Sequence, residues 1–222
     1  MRAPMSNLSP STTAIVFDFD GCIADSLSLF HRLYQQTCDH FNLHLPVSTP
    51  DAFRAWYNAR WERNFLDMGV SEENVQEVLD YARAHVDYSS VTLFPEVVSA
   101  VRSLAPQYRL GIASTTDASV IEGKLEAEGL RHLFGVVIGG EEGGSDKIAR
   151  FGDALKGLGA EGRHSVGIGD TPLDVHCSRH WGMRTIGVTY GWNAEHLVAE
   201  ARPDRLVRHP SEVEAAIRSL LA

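Results

Sequence analysis

The chain has 222 residues, 44% hydrophobic and 22% charged, with a formal charge of −9 at neutral pH, which suits one or two domains with a genuine core. Only three lysines occur (Lys124, Lys147 and Lys156), without a basic run, so the electrostatic footprint of a nucleic-acid binder is missing. Residues 1–13 lack the apolar stretch of a signal peptide, no run reaches membrane-spanning length, and Cys22, Cys38 and Cys177 are too few and too widely spaced for a disulfide framework; the expectation is a cytoplasmic protein with neither nucleic acid nor membrane as partner.

Residues 14–17 read as a short buried strand that stops at Asp18. From Ser26 to about Leu93 the pattern is helical only. Phe30, Leu33, Tyr34, Thr37, Cys38 and Phe41 recur at helix spacing. Pro50 opens a second stripe carrying Phe53, Trp56, Tyr57 and Trp61. Ser71 is expected to cap a helix bearing Val75, Val78, Leu79, Ala82 and Val86. After Pro95, strands at 110–113, 135–138, 165–168 and 184–188 alternate with helices at 118–128, 148–158 and 172–181. Gly129, Gly159 and Gly182 close these helices, and Ser211 is expected to cap a last one.

Five short apolar strands, most of them separated by helices, predict an α/β fold: a parallel five-stranded sheet with helices on both faces. The helical block between the first two strands is too long for one crossover. It is expected to be an inserted all-helical cap domain, 26–92, on a core made of 1–25 and 93–222. In such sheets ligands sit at the carboxyl ends of the strands.

The first strand ends in Phe17-Asp18-Phe19-Asp20-Gly21. Residues two apart on an extended segment face one side, and Gly21 permits a turn there. Two carboxylates so close repel unless one is held ionised by a cation while the other keeps a proton, which gives a nucleophile or base beside an acid. An ordinary acidic turn reads equally well. The second strand runs into Ser114-Thr115-Thr116-Asp117, which is either an anion cradle or a helix cap. Beyond the third comes Gly-Gly-Glu-Glu-Gly-Gly-Ser-Asp-Lys, where Lys147 opens a helix; the dipole disfavours a lysine there unless an anion is near, and a solvated lysine is the alternative. The fourth ends in GIGDTPLD, with Asp170 at the strand tip and Asp174 one turn into the helix. These are hard oxygen ligands of the kind that suit Mg²⁺, or simple caps. Together the four segments place Asp18, Asp20, Ser114, Lys147, Asp170 and Asp174 at one edge of one sheet.

On these residues the sequence resembles the haloacid dehalogenase superfamily of phosphotransferases. The matching pieces are FDFDG followed by IADS, IAST, Lys147 and GIGDTPLD, while GMRTIGVTYG resembles the fifth strand of the phosphoglycolate-phosphatase-like branch. The resemblance implies a Rossmann-like core with a helical cap and a Mg²⁺-dependent phosphatase, monomeric or homodimeric. Its substrate would be a small phosphorylated metabolite, a phosphate monoester such as phosphoglycolate or a sugar phosphate. It also implies roles. Asp18 forms an aspartyl phosphate, and Asp20 protonates the leaving alcohol and then activates water. Ser114, Thr115 and the amides around Gly21 hold phosphoryl oxygens, and Lys147 neutralises charge between nucleophile and phosphate. The Asp18 carboxylate, the Asp20 carbonyl and Asp170 bind Mg²⁺, with Asp174 positioning that shell. The chain departs from the family pattern at Cys22 (usually threonine), Thr115 (commonly asparagine) and Ile148 (often proline).

Other classes fit less well. Positions six after the cysteines hold Ser28, His44 and Met183 rather than arginine, and no GK[ST] loop occurs. Asp20 disfavours dehalogenation, and a lysine-free 26–92 disfavours Schiff-base phosphonate hydrolysis. A phosphomutase of the β-phosphoglucomutase type is the alternative; it would need a second anion site from Arg32, Arg54, Arg60 or Arg63. A non-catalytic phosphate-binding protein is the remaining class. His176 and His180 read as a helix face. Trp56, Tyr57, Trp61 and Phe65 read as the core of the insert, with one or two overhanging the substrate.

Overall fold

The computed structural model describes residues 13–58, 61–140 and 146–222. Strand β1 (Ala14–Phe17) is fully buried, and its side chains alternate between two cores. Ile15 and Phe17 join one, Ala14 and Val16 the other, as the twofold period of a strand covered on both faces requires. The chain turns out of β1 into the two-residue strand β2 (Ala24–Asp25). The helices α1 (Leu27–Phe41), α2 (Pro50–Trp56), α3 (Trp61–Asp67) and α4 (Val75–Ala84) follow. The return strand β3 (Thr92–Leu93) pairs antiparallel with β2.

The remainder alternates regularly. Helix α5 (Pro95–Leu104), β4 (Arg109–Ala113), α6 (Ala118–Ala127) and β5 (Phe134–Ile138) form one half. The other half comprises α7 (Lys147–Leu158), β6 (Val166–Gly169), α8 (Pro172–His180), β7 (Arg184–Val188), α9 (Glu195–Glu200), β8 (Arg205–Val207) and α10 (Val213–Leu221). The sheet order is β5-β4-β1-β6-β7-β8, every pair parallel. Phe151, Leu155 and Cys177 of α7 and α8 pack on the face of Ala14 and Val16. Val101, Ile121 and Ile217 of α5, α6 and α10 pack on the face of Ile15 and Phe17. The chain leaves β1 towards β4 on one side and returns to β6 on the other, so a crevice opens at the carboxyl end of β1.

The sheet has six strands where five were expected. The sixth, β8, is a three-residue edge strand opened by Arg205 and flanked by Pro203 and Pro210, too short for any hydrophobic period. The strand pair at 24–25 and 92–93 was hidden for the same reason. Ser71 does not cap α4: a turn over 72–74 intervenes, and the Ser71 carbonyl accepts from the amides of Asn74 and Val75. Ser211 lies inside a single 3-10 turn (Pro210–Glu212) ahead of α10. Within the helical block Tyr34 stacks on Phe65 at 5.0 Å and meets Phe53 edge-on at 5.2 Å. Asn64 Nδ2 satisfies the buried Tyr34 hydroxyl at 2.9 Å. Among the described residues no helix is long and apolar enough to cross a membrane.

Candidate active site

Asp18 is fixed at the end of β1 by its own amide, which donates to the Ile168 carbonyl of β6 at 2.8 Å. Its Oδ1 accepts from the Phe19 amide, and its Oδ2 lies 2.8 Å from Lys147 Nζ. Lys147 is the first residue of α7, where the helix dipole opposes a positive charge. The compensation is direct: the same Nζ also lies 2.7 Å from Asp174 Oδ1. Asp174 is oriented in turn by a capping box at the start of α8. Thr171 donates to Asp174 Oδ2 from its amide (3.0 Å) and hydroxyl (2.6 Å), and the Asp174 amide donates back to Thr171 Oγ1. Asp170 Oδ2 accepts a 2.5 Å bond from the Trp192 amide in the loop after β7.

One carboxylate oxygen each from Asp18, Asp170 and Asp174 lie within 4.8 Å of one another, all buried. Three carboxylates thus face a single ammonium. Burial, with Asp174 adding repulsion, pushes Asp18 up to about 7 despite the pull of Lys147. Burial, followed by repulsion from Asp18 and Asp174, pushes Asp170 well above the carboxylate range. Burial opposes the charge on Lys147, but Asp174 and Asp18 outweigh it and hold the ammonium protonated. Excess negative charge on hard oxygens in a closed site is the donor set a divalent cation fits. Gly21 (φ +72°) is part of this packing: a Cβ there would overlap the Asp170 carboxylate and stand 2.8 Å from Trp192 Cδ1.

Asp20 is held quite differently. Its carboxylate accepts three hydroxyl bonds of 2.6 Å each, from Ser26 and Tyr88 on Oδ1 and from Thr116 on Oδ2. Burial raises its pKa, and the three hydroxyls only partly offset that. Its side chain lies outside the three-carboxylate cluster, yet Asp18, Asp20, Lys147 and Asp170 line one cleft. Thr115 and Thr116 line it from the loop after β4. Ser114 is fully buried, its Oγ accepting from the Thr116 amide. Phe30, Tyr57, Trp61 and Trp192 line the cleft as well.

The family model for haloacid dehalogenase-like hydrolases matches residues 15–188, a span that contains every charged group of this cleft. The chain belongs to that family. Among similar curated proteins, the phosphoglycolate phosphatase of Synechococcus elongatus is 28% identical over 216 residues, 94% of this chain and 98% of that protein. The pyrophosphatase PpaX of Listeria innocua is 26% identical over 93% of this chain and 96% of its own. A solved haloacid dehalogenase-like protein from Streptococcus pneumoniae superposes with a TM-score of 0.82 at 24% identity, covering 92% of this chain and 97% of that one. The family and the α/β fold read from the sequence therefore hold, and the chain is an enzyme, a hydrolase with phosphatases among its relatives.

Within this hydrolase the structure brings Asp18, Asp20, Lys147, Asp170, Asp174 and Thr115 together, with Gly21 against Asp170 and the buried Ser114 next to Thr115 in the chain. Sequence reading overlooked Tyr88, Thr116 and Trp192. Thr116 belongs to the hydroxyl run that reads as an anion cradle or a helix cap; the cap position of α6 is Asp117, and the Thr116 hydroxyl turns to Asp20 instead. Trp192 follows the last predicted strand at the functional edge, a positional signal that was there to use. His176 and His180 are exposed on α8. Arg32 is exposed and Arg63 pairs with Asp67 at 3.0 Å; neither they nor Arg54 lines the cleft. Arg60, residues 1–12 and residues 141–145 of the glycine-rich segment lie outside the described residues.

Proposed function

We propose that this hydrolase is a Mg²⁺-dependent phosphatase that cleaves a small phosphate monoester through an aspartyl phosphate on Asp18. The observation that carries the reading is the unequal treatment of two carboxylates in one cleft. Asp18 is paired to an ammonium 2.8 Å away, and Asp20 is wrapped by three hydroxyls. A carboxylate paired to a cation is held ionised for attack, while one held only by hydroxyls can keep a proton and serve as an acid. In this mechanism an Asp18 oxygen attacks phosphorus, the bond from phosphorus to the ester oxygen breaks, and Asp20 gives its proton to the departing alkoxide. Asp20 then takes a proton from water as that water attacks the aspartyl phosphate, which releases inorganic phosphate and restores Asp18.

Lys147 would offset the charge between nucleophile and phosphoryl group. Ser114, Thr115 and the amides about Gly21 would hold the phosphoryl oxygens. The Asp18 and Asp170 carboxylates and the Asp20 carbonyl would hold Mg²⁺, with Asp174 positioning them. Bound there, the ion supplies positive charge that keeps Asp18 ionised at neutral pH and screens the incoming phosphate. Residues 26–92 act as a cap over a core of 1–25 and 93–222, and the enzyme works in the cytoplasm, where its three free cysteines stay reduced. Against a mutase stands the composition of the cleft, where no described arginine offers a second phosphate site. The test is hydrolysis of p-nitrophenyl phosphate with and without Mg²⁺. Turnover should need the metal and vanish in Asp18→Asn, and an Asp18→Asn variant that keeps its activity would refute the mechanism.

A further inference from the structure

We infer that the leaving group this cleft accepts is an uncharged, largely apolar alcohol or phenol carrying a hydrogen-bond acceptor, and that Trp192 is the residue that selects it. The inference rests on the phosphatase reading and adds the substrate class. The charged residues that line the cleft are Asp18, Asp20, Asp170 and Lys147. Beside Thr115, Thr116, Thr171 and Leu173, the rest of the lining is aromatic. Phe30 meets Trp192 with ring centroids 4.5 Å apart, Tyr57 meets Trp192 at 4.9 Å, and Phe30 meets Trp61 at 5.3 Å, all edge-to-face. These rings come from α1, from the α2–α3 region and from the loop after β7, so they form a wall assembled across the fold.

An anionic leaving group needs a cation, or it is buried unpaired beside aspartates at great cost. Among the described residues Lys147 is the one cation lining the cleft, and its ammonium is already divided between Asp18 and Asp174. Glycolate and pyrophosphate would each bring a further negative charge to a wall of rings. What that wall does offer is a donor with no partner, since the Tyr57 hydroxyl and the Trp61 ring bond each other. Trp192 is 5% exposed, and among the described residues its buried Nε1 has no hydrogen-bond partner. Its backbone is anchored by the amide bond to Asp170, its ring packs against Phe30 and Tyr57, and Cδ1, the atom bonded to Nε1, is turned towards Gly21. Buried indole donors ordinarily find an acceptor, and a neutral acceptor on the substrate would supply it.

The experiment compares kcat/KM for benzyl phosphate, 2-phosphoglycolate and pyrophosphate, then for 4-methoxybenzyl against 4-methylbenzyl phosphate. Benzyl phosphate should exceed both anionic substrates by about tenfold or more, and the methoxy ester should exceed the methyl ester by roughly tenfold, the range of one neutral hydrogen bond. Trp192→Phe should bring that second ratio close to one, a comparison internal to the variant. Preference for 2-phosphoglycolate or pyrophosphate in the wild type overturns the inference; loss of that preference in Arg60→Ala would assign the missing cation to Arg60. A methoxy preference that survives Trp192→Phe removes Trp192 as the selector. Failure of the phosphatase reading would look different: no Mg²⁺- and Asp18-dependent hydrolysis of any of these esters or of acetyl phosphate.

Discussion

Tyr88 Oη donates a 2.6 Å hydrogen bond to Asp20 Oδ1 and stands 3.3 Å from the Thr116 hydroxyl. The contact joins the end of the helical block to the core. Tyr88 sits in the 3-10 turn (Tyr88–Ser90) just before β3, and Ser26, the second donor to the same oxygen, sits just after β2. Both connectors of the helical block therefore deliver a hydroxyl to Asp20, and the core adds Thr116. The three hydroxyls that orient this carboxylate thus come from both ends of the helical block and from the loop after β4.

Tyr88→Phe should therefore act on turnover more than on the fold. Losing one hydroxyl bond to a carboxylate removes about 1.5–3 kcal/mol of interaction, so kcat should fall by about tenfold or more. The Mg²⁺ concentration for half-maximal activity should stay put, because the Asp20 side chain lies outside the three-carboxylate cluster. Steady-state kinetics across a Mg²⁺ titration separate the two quantities. A variant with wild-type kcat would mean that Tyr88 is merely packed there.

The raised pKa of Asp18 makes the metal-free protein pH-dependent in a definite direction. With the folded value about 7 and the ordinary value 3.8, the folded state holds a proton between those limits that the unfolded chain has released. Stability from this group is thus lost as pH rises through that window, at about 1.4 kcal/mol per unit of difference. Asp18→Asn should raise the Tm of the metal-free protein, and by more at pH 8 than at pH 5. Mg²⁺ should stabilise the wild type more at pH 8 as well, since binding at pH 5 must first displace that proton. Equal shifts at both pH values, in thermal scans with and without chelator, would rule this account out.

Gly21→Ala tests the packing behind the carboxylates. A φ of +72° strains any side chain by about 1–3 kcal/mol, and the added methyl would press on the Asp170 carboxylate and on Trp192. The protein should fold with a lowered Tm, bind Mg²⁺ more weakly and turn over at least about tenfold more slowly. Wild-type Mg²⁺ affinity, measured by calorimetry, would show that Asp170 tolerates displacement.

The parts of this site that were legible in the sequence are those where one residue at one strand end carries the signal. Asp18, Asp170 and Asp174 sit at β1, β6 and the start of α8, so the order of strands alone brings them to one edge. Lys147 was legible through a conflict: a lysine at a helix start needs an anion, and the structure supplies two. Tyr88 could not be found this way, because it bonds a residue 68 positions away across a block whose packing no local period encodes. Trp192 reaches Asp170 through its backbone amide, a contact that any residue could make and no side-chain pattern announces. β8 stayed hidden because three residues beginning with an arginine carry too little alternation to distinguish an edge strand from a loop.

The capping box at Thr171 gives a last prediction, in which stability and site geometry move together. Thr171 Oγ1 donates to Asp174 Oδ2 at 2.6 Å and accepts from the Asp174 amide at 3.2 Å. Thr171→Ala removes both bonds and leaves the backbone amide of residue 171 as the remaining partner of that oxygen. Loss of a helix cap of this kind costs about 1 kcal/mol, which in a chain of this length lowers Tm by roughly 2–4 °C. Asp174 also loses the contact that aims its other oxygen at Lys147, so kcat should fall alongside. Thr171→Ser keeps the hydroxyl and should recover both Tm and kcat. Recovery of Tm without kcat would show that the threonine methyl, and not the hydroxyl, sets the position of Asp174; the same thermal scans and assays distinguish the two.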